Sequence, residues 1–334
     1  MKRIMILMLI ILCSIKLHSQ ENDSTASFPP NKSNIKLSIG MSILTKKIEP
    51  VKHTRVNFNQ YRQVIKNGEI DVDSMKINEQ AKKYFDKAEE YFSAMKYDSA
   101  IAYYKIAYLK DSTYSNSLVY IGQCYQESGY YKEAIGYLQR AVEKNYIDYM
   151  GHWLLAFNYY QTEKYDPALD EICIANILNR NNTKILDDMK IIFLNMGKDY
   201  NEWEFSPQVN ITKSKDGGYT VATDSNWLMY GLAKVSWKSI PDFAKKHNVD
   251  SDPYYVNEEC DCLKMQAQAM KNSGHNYDNI PDLKKLSEAY KNNHIKEYTL
   301  YEVTLRWLPS YVYLLNADDI NKIKNYILNI RYNK

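Results

Sequence analysis

The residue types that most often carry chemistry lie in the carboxy-terminal third of the chain. Cys260 and Cys262 are separated by one residue in an acidic stretch that includes Glu258, Glu259 and Asp261. A zinc site would need two or more further ligands nearby, and neither a C-x-x-C pair nor clustered histidines supply them. Incidental thiols are the simplest interpretation, with a disulfide or a metal site as the alternatives.

His294 and Glu297 form a second candidate pair, because their spacing places them on one face of a predicted helix. A third ligand is missing, as it is for His275 and Asp278, so we expect surface pairs rather than metal sites. The sequence contains no G-x-S-x-G, glycine-rich phosphate loop, H-E-x-x-H or acidic calcium loop. We therefore predict no catalytic residue, no metal, no cofactor and no enzymatic activity.

The net charge of +3 does not indicate a nucleic-acid partner. Lys2, Arg3 and Lys16 lie in the first nineteen positions, and setting them aside leaves 40 basic and 40 acidic residues in the 334-residue chain. Each later region is also close to balanced, so no basic surface for nucleic acid or an anionic membrane is expected.

Residues 1–19 have the organisation of a secretory signal peptide. Two basic residues precede an apolar run over 4–15, and a more polar end comes after it. The run is shorter than the ~20 residues that span a bilayer, so a permanent anchor is less favoured. Cleavage after Ser19 predicts an exported protein, periplasmic or secreted, without a stable membrane span in its mature form. Cys13 raises the alternative of a lipoprotein, which the large Leu12 before it disfavours.

Export would allow disulfides among the four remaining cysteines. These are Cys124, Cys173, Cys260 and Cys262. They allow three complete pairings, and their spacing does not choose among them.

Residues 20–80 are predicted to be a flexible linker and then irregular structure. Residues 20–40 are rich in Ser, Asn and Pro, so they can bury too little surface to offset their chain entropy. Residues 41–80 carry scattered apolar positions without a period, and we expect them to dock on the part of the chain that begins at Ala81.

From Ala81 the chain repeats with a period of 34 residues. Two alanine and two tyrosine ladders keep this step in register: Ala100, Ala134 and Ala168; Ala107, Ala141 and Ala175; Tyr91, Tyr125 and Tyr159; Tyr97, Tyr131 and Tyr165. Small residues also hold the eighth position of each unit, as Ala88, Gly122 and Ala156. Small side chains belong where two helices cross closely, with large ones filling the space beside them.

This pattern resembles the tetratricopeptide repeat (TPR), a helix–turn–helix unit of 34 residues. The resemblance covers about a third of the chain and implies a solenoid over 81–199, with units 81–114, 115–148 and 149–182 and a capping helix over 183–196. The proline usual near the end of each unit is replaced by Ser112, Tyr146 and Arg180, which loosens the helix breaks.

The resemblance also implies a concave face lined by the first helix of each unit. The candidate partner-binding residues on it are Phe85, Phe92, Val119, Gln123, Trp153, Phe157 and Tyr160. Phe85 and Glu89 stand where chaperone-tail-binding members carry Lys and Asn, so a carboxylate clamp is not expected. Grouped aromatic side chains favour a protein or peptide partner. Packing against the chain's own 41–80 or carboxy-terminal segments, and small-molecule binding, are the alternatives.

Residues 200–334 show no such period, and we relate them to no family. Alternation in QVNIT and YTVAT around Gly217-Gly218 predicts a β-hairpin. Helices are expected over 226–238, 256–272, 281–292, 295–308 and 317–331, the last capped by Asn316 with Asp319. The prediction for 200–334 is a small, mostly helical α+β domain.

We thus predict a mainly α fold, a TPR solenoid of about 3.5 repeats followed by that domain. The predicted function is a non-enzymatic, exported scaffold that binds a protein or peptide; its oligomeric state stays open. The alternative is that 200–334 form a hydrolase or ligand-binding module with the repeats as docking arm. A pocket where Glu258, Asp261, His294 or Glu297 converge would favour it.

Overall fold

The structure is a computed structural model of the chain, and it describes residues 39–43 (backbone only), 61–215, 217–239 and 256–332. The predicted signal peptide and most of the predicted linker lie outside these ranges. The fold is mainly α, with a TPR-like solenoid followed by further helices and a β-hairpin. The chain divides into two compact units, one of residues 1–49 and 206–269 and the other of 50–205 and 270–334.

In the described part of the chain before the solenoid there are three strands: β1 (Ile39–Ile43), β2 (Tyr61–Lys66) and β3 (Glu69–Ser74). β2 and β3 form an antiparallel hairpin whose turn residues, Asn67 and Gly68, have φ of 55° and 83°. This left-handed pair is the backbone that a two-residue type I′ turn requires. The hairpin differs from the irregular structure that the sequence predicts over 41–80.

The hairpin is held by side chains that reach main-chain carbonyls. Gln63 Nε2 donates to the carbonyls of Tyr313 and Leu315 at 2.8 and 2.7 Å. Asn145 Nδ2 donates to the Tyr61 carbonyl at 3.0 Å, and the rings of Tyr61 and Tyr313 lie 5.3 Å apart. The hairpin therefore depends on partners far away in sequence.

Three helix pairs and one further helix form the solenoid. They are α1 (Glu79–Ser93) with α2 (Tyr97–Lys110), α3 (Asn116–Glu127) with α4 (Tyr131–Lys144), α5 (Tyr149–Gln161) with α6 (Tyr165–Leu178), and α7 (Thr183–Asn195). The predicted three and a half repeats are confirmed. Ala88, Ala100, Ala134 and Ala168 have no solvent exposure, as close helix crossings require.

The turn inside each unit repeats one backbone geometry. Met95, Gly129, Glu163 and Gly197 have φ of 55°, 77°, 59° and 66°, and they too are 34 residues apart. Glycine adopts this left-handed conformation without steric cost and commonly ends helices in this way. Met95 and Glu163 lack that freedom, so their turns are strained.

The unit of 206–269 contains a three-stranded sheet in the order β1-β5-β4, built with β4 (Val209–Lys213) and β5 (Tyr219–Thr223). β5 pairs antiparallel with β4 and parallel with β1. The predicted hairpin is present, with Ile211 opposite Val221. α8 (Leu228–Ser239) packs on this sheet at Gly231, where an added Cβ would lie 2.8 Å from Val221 Cγ1.

The remaining described helices lie between Val256 and Arg331. They are α9 (Val256–Ser273), α10 (Pro281–Lys291), and α11 (Ile295–Tyr298), which continues through a π-helical stretch (Thr299–Thr304) into α12 (Leu305–Trp307). A 3-10 helix (Pro309–Leu314), α13 (Ala317–Tyr326) and a π-helical end (Ile327–Arg331) complete the fold. The bounds match the predicted helices, and the predicted capping box of Asn316 and Asp319 is present.

The carboxy-terminal residues cover the last repeat. Phe193 of α7 continues the tyrosine ladder of Tyr91 and Tyr125, whose rings stack on tyrosines of their own second helices. Phe193 instead has Tyr332 at 4.9 Å, while α13 packs on α6. Since the exposed end of a solenoid must be covered, the last helix covers α6 and Tyr332 covers Phe193 of α7. Residues 270–334 accordingly belong with the repeats, whereas the sequence-based prediction groups them with 200–269.

A buried ion cluster lies beneath this closure. Glu302 is 1 % exposed, accepts from the Tyr326 hydroxyl at 3.0 Å, and lies 3.0 Å from Arg331 Nη1 and 3.6 Å from Arg180 Nη2. Arg180 Nε also donates to the Tyr301 carbonyl at 3.2 Å. Buried charges need such partners, so loss of one member would leave the others uncompensated.

Candidate partner-binding groove

The later end of the concave face is an apolar groove between α5 and α7. A cavity of about 160 Å³ opens there, lined by Trp153, Phe157 and Tyr160 of α5 and by Asp188, Ile191 and Ile192 of α7. The spacing of the three aromatic residues, four and then three positions apart, puts them on one face of α5. The structure thus brings together three of the seven predicted residues.

Two hydrogen bonds that cross from α5 to α7 fix the groove. Trp153 Nε1 donates to Asp188 Oδ2 at 2.7 Å, and Asn195 Nδ2 donates to the Tyr160 hydroxyl at 2.6 Å. Both aromatic side chains are therefore held in place, which reduces the ordering cost of binding.

The groove exposes large apolar side chains. Phe157 is 38 %, Ile191 50 % and Leu194 56 % exposed. Grouped exposure of this kind marks interaction sites on soluble proteins. Among the residues that the structure describes, the cavity is lined only from α5, α6 and α7. No described part of 41–80 or of the carboxy-terminal region enters it.

The early end of the concave face is filled by aromatic packing. The Phe85 ring lies 5.2, 5.4 and 5.5 Å from those of Tyr104, Tyr114 and Tyr120. Phe92 lies 6.4 Å from Tyr120, and burial raises the pKa of Tyr120 to about 12. Phe85 and Phe92 are half-buried here, so this end offers less apolar surface than the later end.

The two remaining candidates lie on α3, outside the cavity. Val119 is 2 % exposed, so it packs in the core. Gln123 is half-buried, and its Oε1 accepts no hydrogen bond. Ile191 and Leu194 of α7 are not among the predicted residues, although they hold the same inward positions in the capping helix. The seven-residue groove thus stays a prediction, with its strongest surface at α5 and α7.

The acidic and thiol candidates around α9 are engaged in internal contacts. Lys234 Nζ lies 3.0 Å from Glu258 Oε1 and also pairs with Glu259, which accepts from the Tyr230 hydroxyl at 2.6 Å. Cys262 has no solvent exposure, and burial raises the pKa of its thiol well above the ordinary value. A protonated, buried thiol is a poor nucleophile and a poor metal ligand.

The other chemical candidates form no larger constellation. All four cysteines after the predicted signal peptide are free. His294 Nδ1 lies 3.3 Å from Glu297 Oε2, in a pair that is partly buried rather than on the surface. Within the described ranges, no three His, Cys, Asp or Glu side chains are grouped as a metal site would need. No helix in the same ranges is long and apolar enough to cross a bilayer.

Comparison with known proteins concerns the fold alone. No protein-family model and no curated protein matches the chain. The array is TPR-like. The first TPR domain of RPAP3, solved with the HSP90 peptide SRMEEVD, is 18% identical over 37% of this chain and 99% of its own, with a TM-score of 0.35.

Two bacterial structures are similarly distant. The Yersinia enterocolitica secretion chaperone SycD, solved with a peptide of the translocator YopD, is 17% identical over 36% of this chain and 96% of its own, with a TM-score of 0.34. A TPR protein from Parabacteroides merdae is 13% identical over 75% of this chain and all of its own, also with a TM-score of 0.34.

Proposed function

We propose that the chain is a non-enzymatic interaction scaffold that binds a peptide segment of another protein in the groove between α5 and α7. The observation that carries this proposal is the exposure of Phe157, Ile191 and Leu194 around an apolar cavity of about 160 Å³. A cavity of that size accommodates one large aliphatic or aromatic side chain as an anchor.

The anchor alone does not supply useful affinity. Burial of one large apolar side chain contributes about 1.5–3 kcal/mol, whereas micromolar binding needs about 8 kcal/mol. The partner must therefore lay several residues along the groove. Phe157 in the cavity wall and Leu194, which is exposed one helical turn after Ile191 on α7, provide that additional apolar surface.

Two matched variants test the groove. Ile191→Lys places a charge at an exposed position inside it, and Leu109→Lys places the same charge on α2, where Leu109 is 81 % exposed and outside it. Tagged wild-type chain should capture a partner from native envelopes, with direct binding then measured between purified proteins. We expect Ile191→Lys to lose that binding and Leu109→Lys to keep it. Equal binding by both, with unchanged circular dichroism, would rule out the groove.

We further propose that the protein is exported before it acts, on the support of the amino-terminal basic and apolar pattern. Mass spectrometry of the chain isolated from cells should find a mature amino terminus at Gln20. An intact amino terminus on protein from the cytoplasmic fraction would contradict export. An enzymatic role is not proposed, because Glu258, Asp261, His294 and Glu297 do not line the groove.

A further inference from the structure

A second cavity, of about 420 Å³, lies between α7, the segment after it and the start of α10, all within the unit that contains the repeats. Its walls include Lys190, Tyr200, Trp203, Asp278, Pro281 and Lys284. Small-molecule sites commonly enclose about 300–1,000 Å³. Lys285 also lines the cavity, and its ammonium donates to Glu288 Oε2 at 2.7 Å.

The aromatic wall of this cavity is held rigid from behind. Tyr200 stacks on Tyr332 with ring centroids 4.4 Å apart and planes at 12°. The Arg331 guanidinium lies 4.3 Å from the Trp203 ring centre, and its Nη2 donates to the Trp203 carbonyl at 3.0 Å. A wall fixed in advance lowers the ordering cost of ligand binding.

Some of the other charged side chains in the walls of this cavity have an ion-pair partner and others do not. Lys190 Nζ pairs with Glu202 Oε1 at 2.6 Å. Asp278 and Lys284 also line the cavity, and neither side chain has a hydrogen bond or ion pair within the described part of the chain. The cavity therefore offers one unpaired carboxylate and one unpaired ammonium beside an apolar wall.

We propose that this cavity binds a small zwitterion, a free amino acid or a short peptide. The ligand's ammonium group pairs with Asp278, its carboxylate pairs with Lys284, and its side chain lies against Tyr200, Trp203 and Pro281. A ligand that carries only one charge would leave either Asp278 or Lys284 without a partner, so it would gain one ion pair instead of two. This site is separate from the groove, so the two proposals stand independently.

The dipeptide Ala-Phe is a suitable probe, used with the full chain in isothermal titration calorimetry. Its N-acetyl form lacks the ammonium group, and its amide form lacks the carboxylate. An exposed ion pair contributes up to about 1 kcal/mol, so each capped form should bind about fivefold more weakly. Absence of Ala-Phe binding up to about 10 mM, or equal binding of all three forms, would overturn the proposal.

Variants then assign each charge to its partner. Lys284→Gln should weaken the binding of Ala-Phe about fivefold and leave the binding of its amide form unchanged, because that form has no carboxylate. Asp278→Asn should likewise weaken the binding of Ala-Phe about fivefold and leave the binding of the N-acetyl form unchanged. Lys291→Gln removes the same charge from the exposed far end of α10 and should change nothing. Equal weakening of capped and uncapped ligands, or an effect of Lys291→Gln as large as that of Lys284→Gln, would overturn the assignment.

Discussion

We expect substitution by alanine to have opposite effects on stability at two glycines of the second repeat. Gly136 of α4 is exposed, and no neighbouring atom lies within 4 Å of an added Cβ. Alanine is about 1 kcal/mol more favourable than glycine in a helix. Gly136→Ala should therefore raise the free energy of unfolding by about that amount.

Gly122 of α3 lies instead at a helix crossing. An added Cβ would lie 2.5 Å from Leu138 Cγ and 2.7 Å from its Cδ2, well inside ordinary contact distance. Overpacking of a core costs about 1–3 kcal/mol, whereas the higher helix propensity of alanine over glycine contributes only about 1 kcal/mol. Gly122→Ala should therefore lower stability, by up to about 2 kcal/mol.

Urea unfolding followed by far-ultraviolet circular dichroism measures both effects. Leu138→Ala, which removes the Cγ and Cδ2 atoms that the new Cβ would meet, should cost about 2–5 kcal/mol alone, and Gly122→Ala should cost less in the Leu138→Ala background than in the wild-type chain. The double-mutant cycle should thus show favourable coupling between Gly122 and Leu138. If Gly122→Ala stabilises the protein as much as Gly136→Ala does, the account of the crossing is refuted.

Two further predictions concern the turns. Glu163 and Gly129 have φ of 59° and 77°, a left-handed conformation that glycine adopts without steric cost. Glu163→Gly should therefore raise the free energy of unfolding by up to about 1 kcal/mol, and Gly129→Ala should lower it by a similar amount. Urea midpoints of the two variants that move in the same direction would contradict this. Asp111 is buried, which raises the pKa of its carboxyl, but hydrogen bonds from the Thr113 hydroxyl and from the backbone N–H of Asn78 outweigh burial and lower the pKa overall. The carboxylate's stabilisation is therefore present above the unfolded-state pKa of about 4 and is lost as pH falls through the folded-state value. Asp111→Asn should cost about 1 kcal/mol at neutral pH and little near pH 2, and a loss that does not change with pH would speak against this origin.

The repeats could be predicted because their determinants are local and recur. Each helix crossing needs a small residue, so Ala100, Ala134 and Ala168 reveal the period directly. The cap formed by Asn316 and Asp319 is equally local. By contrast, β1 pairs in parallel with β5, which lies far along the chain, and the local sequence around β1 does not predict this pairing. The N-G dipeptide of the β2–β3 turn is a usable local signal that the prediction of irregular structure misses.

The groove was predictable in part for a related reason. Position within the repeat located Trp153, Phe157 and Tyr160 on the concave face. Repeat position alone could not predict that Tyr104 and Tyr120 fill the early end of the concave face, because ring packing between helices depends on side-chain directions. The second cavity joins segments that lie far apart in sequence, so no single stretch of sequence could announce it.

Closure of the solenoid by the chain's own last helix changes how this unit can fold. Open repeat arrays have contacts only between neighbours, so their ends can fray unit by unit. Here Arg180 bonds to Tyr301 and Gln63 to Leu315, across 121 and 252 residues. Such long-range contacts slow folding and tie distant elements into one transition. A chain emerging from the ribosome cannot cover α6 until α13 is made, so the repeats stay incomplete until well over a hundred further residues have been synthesised.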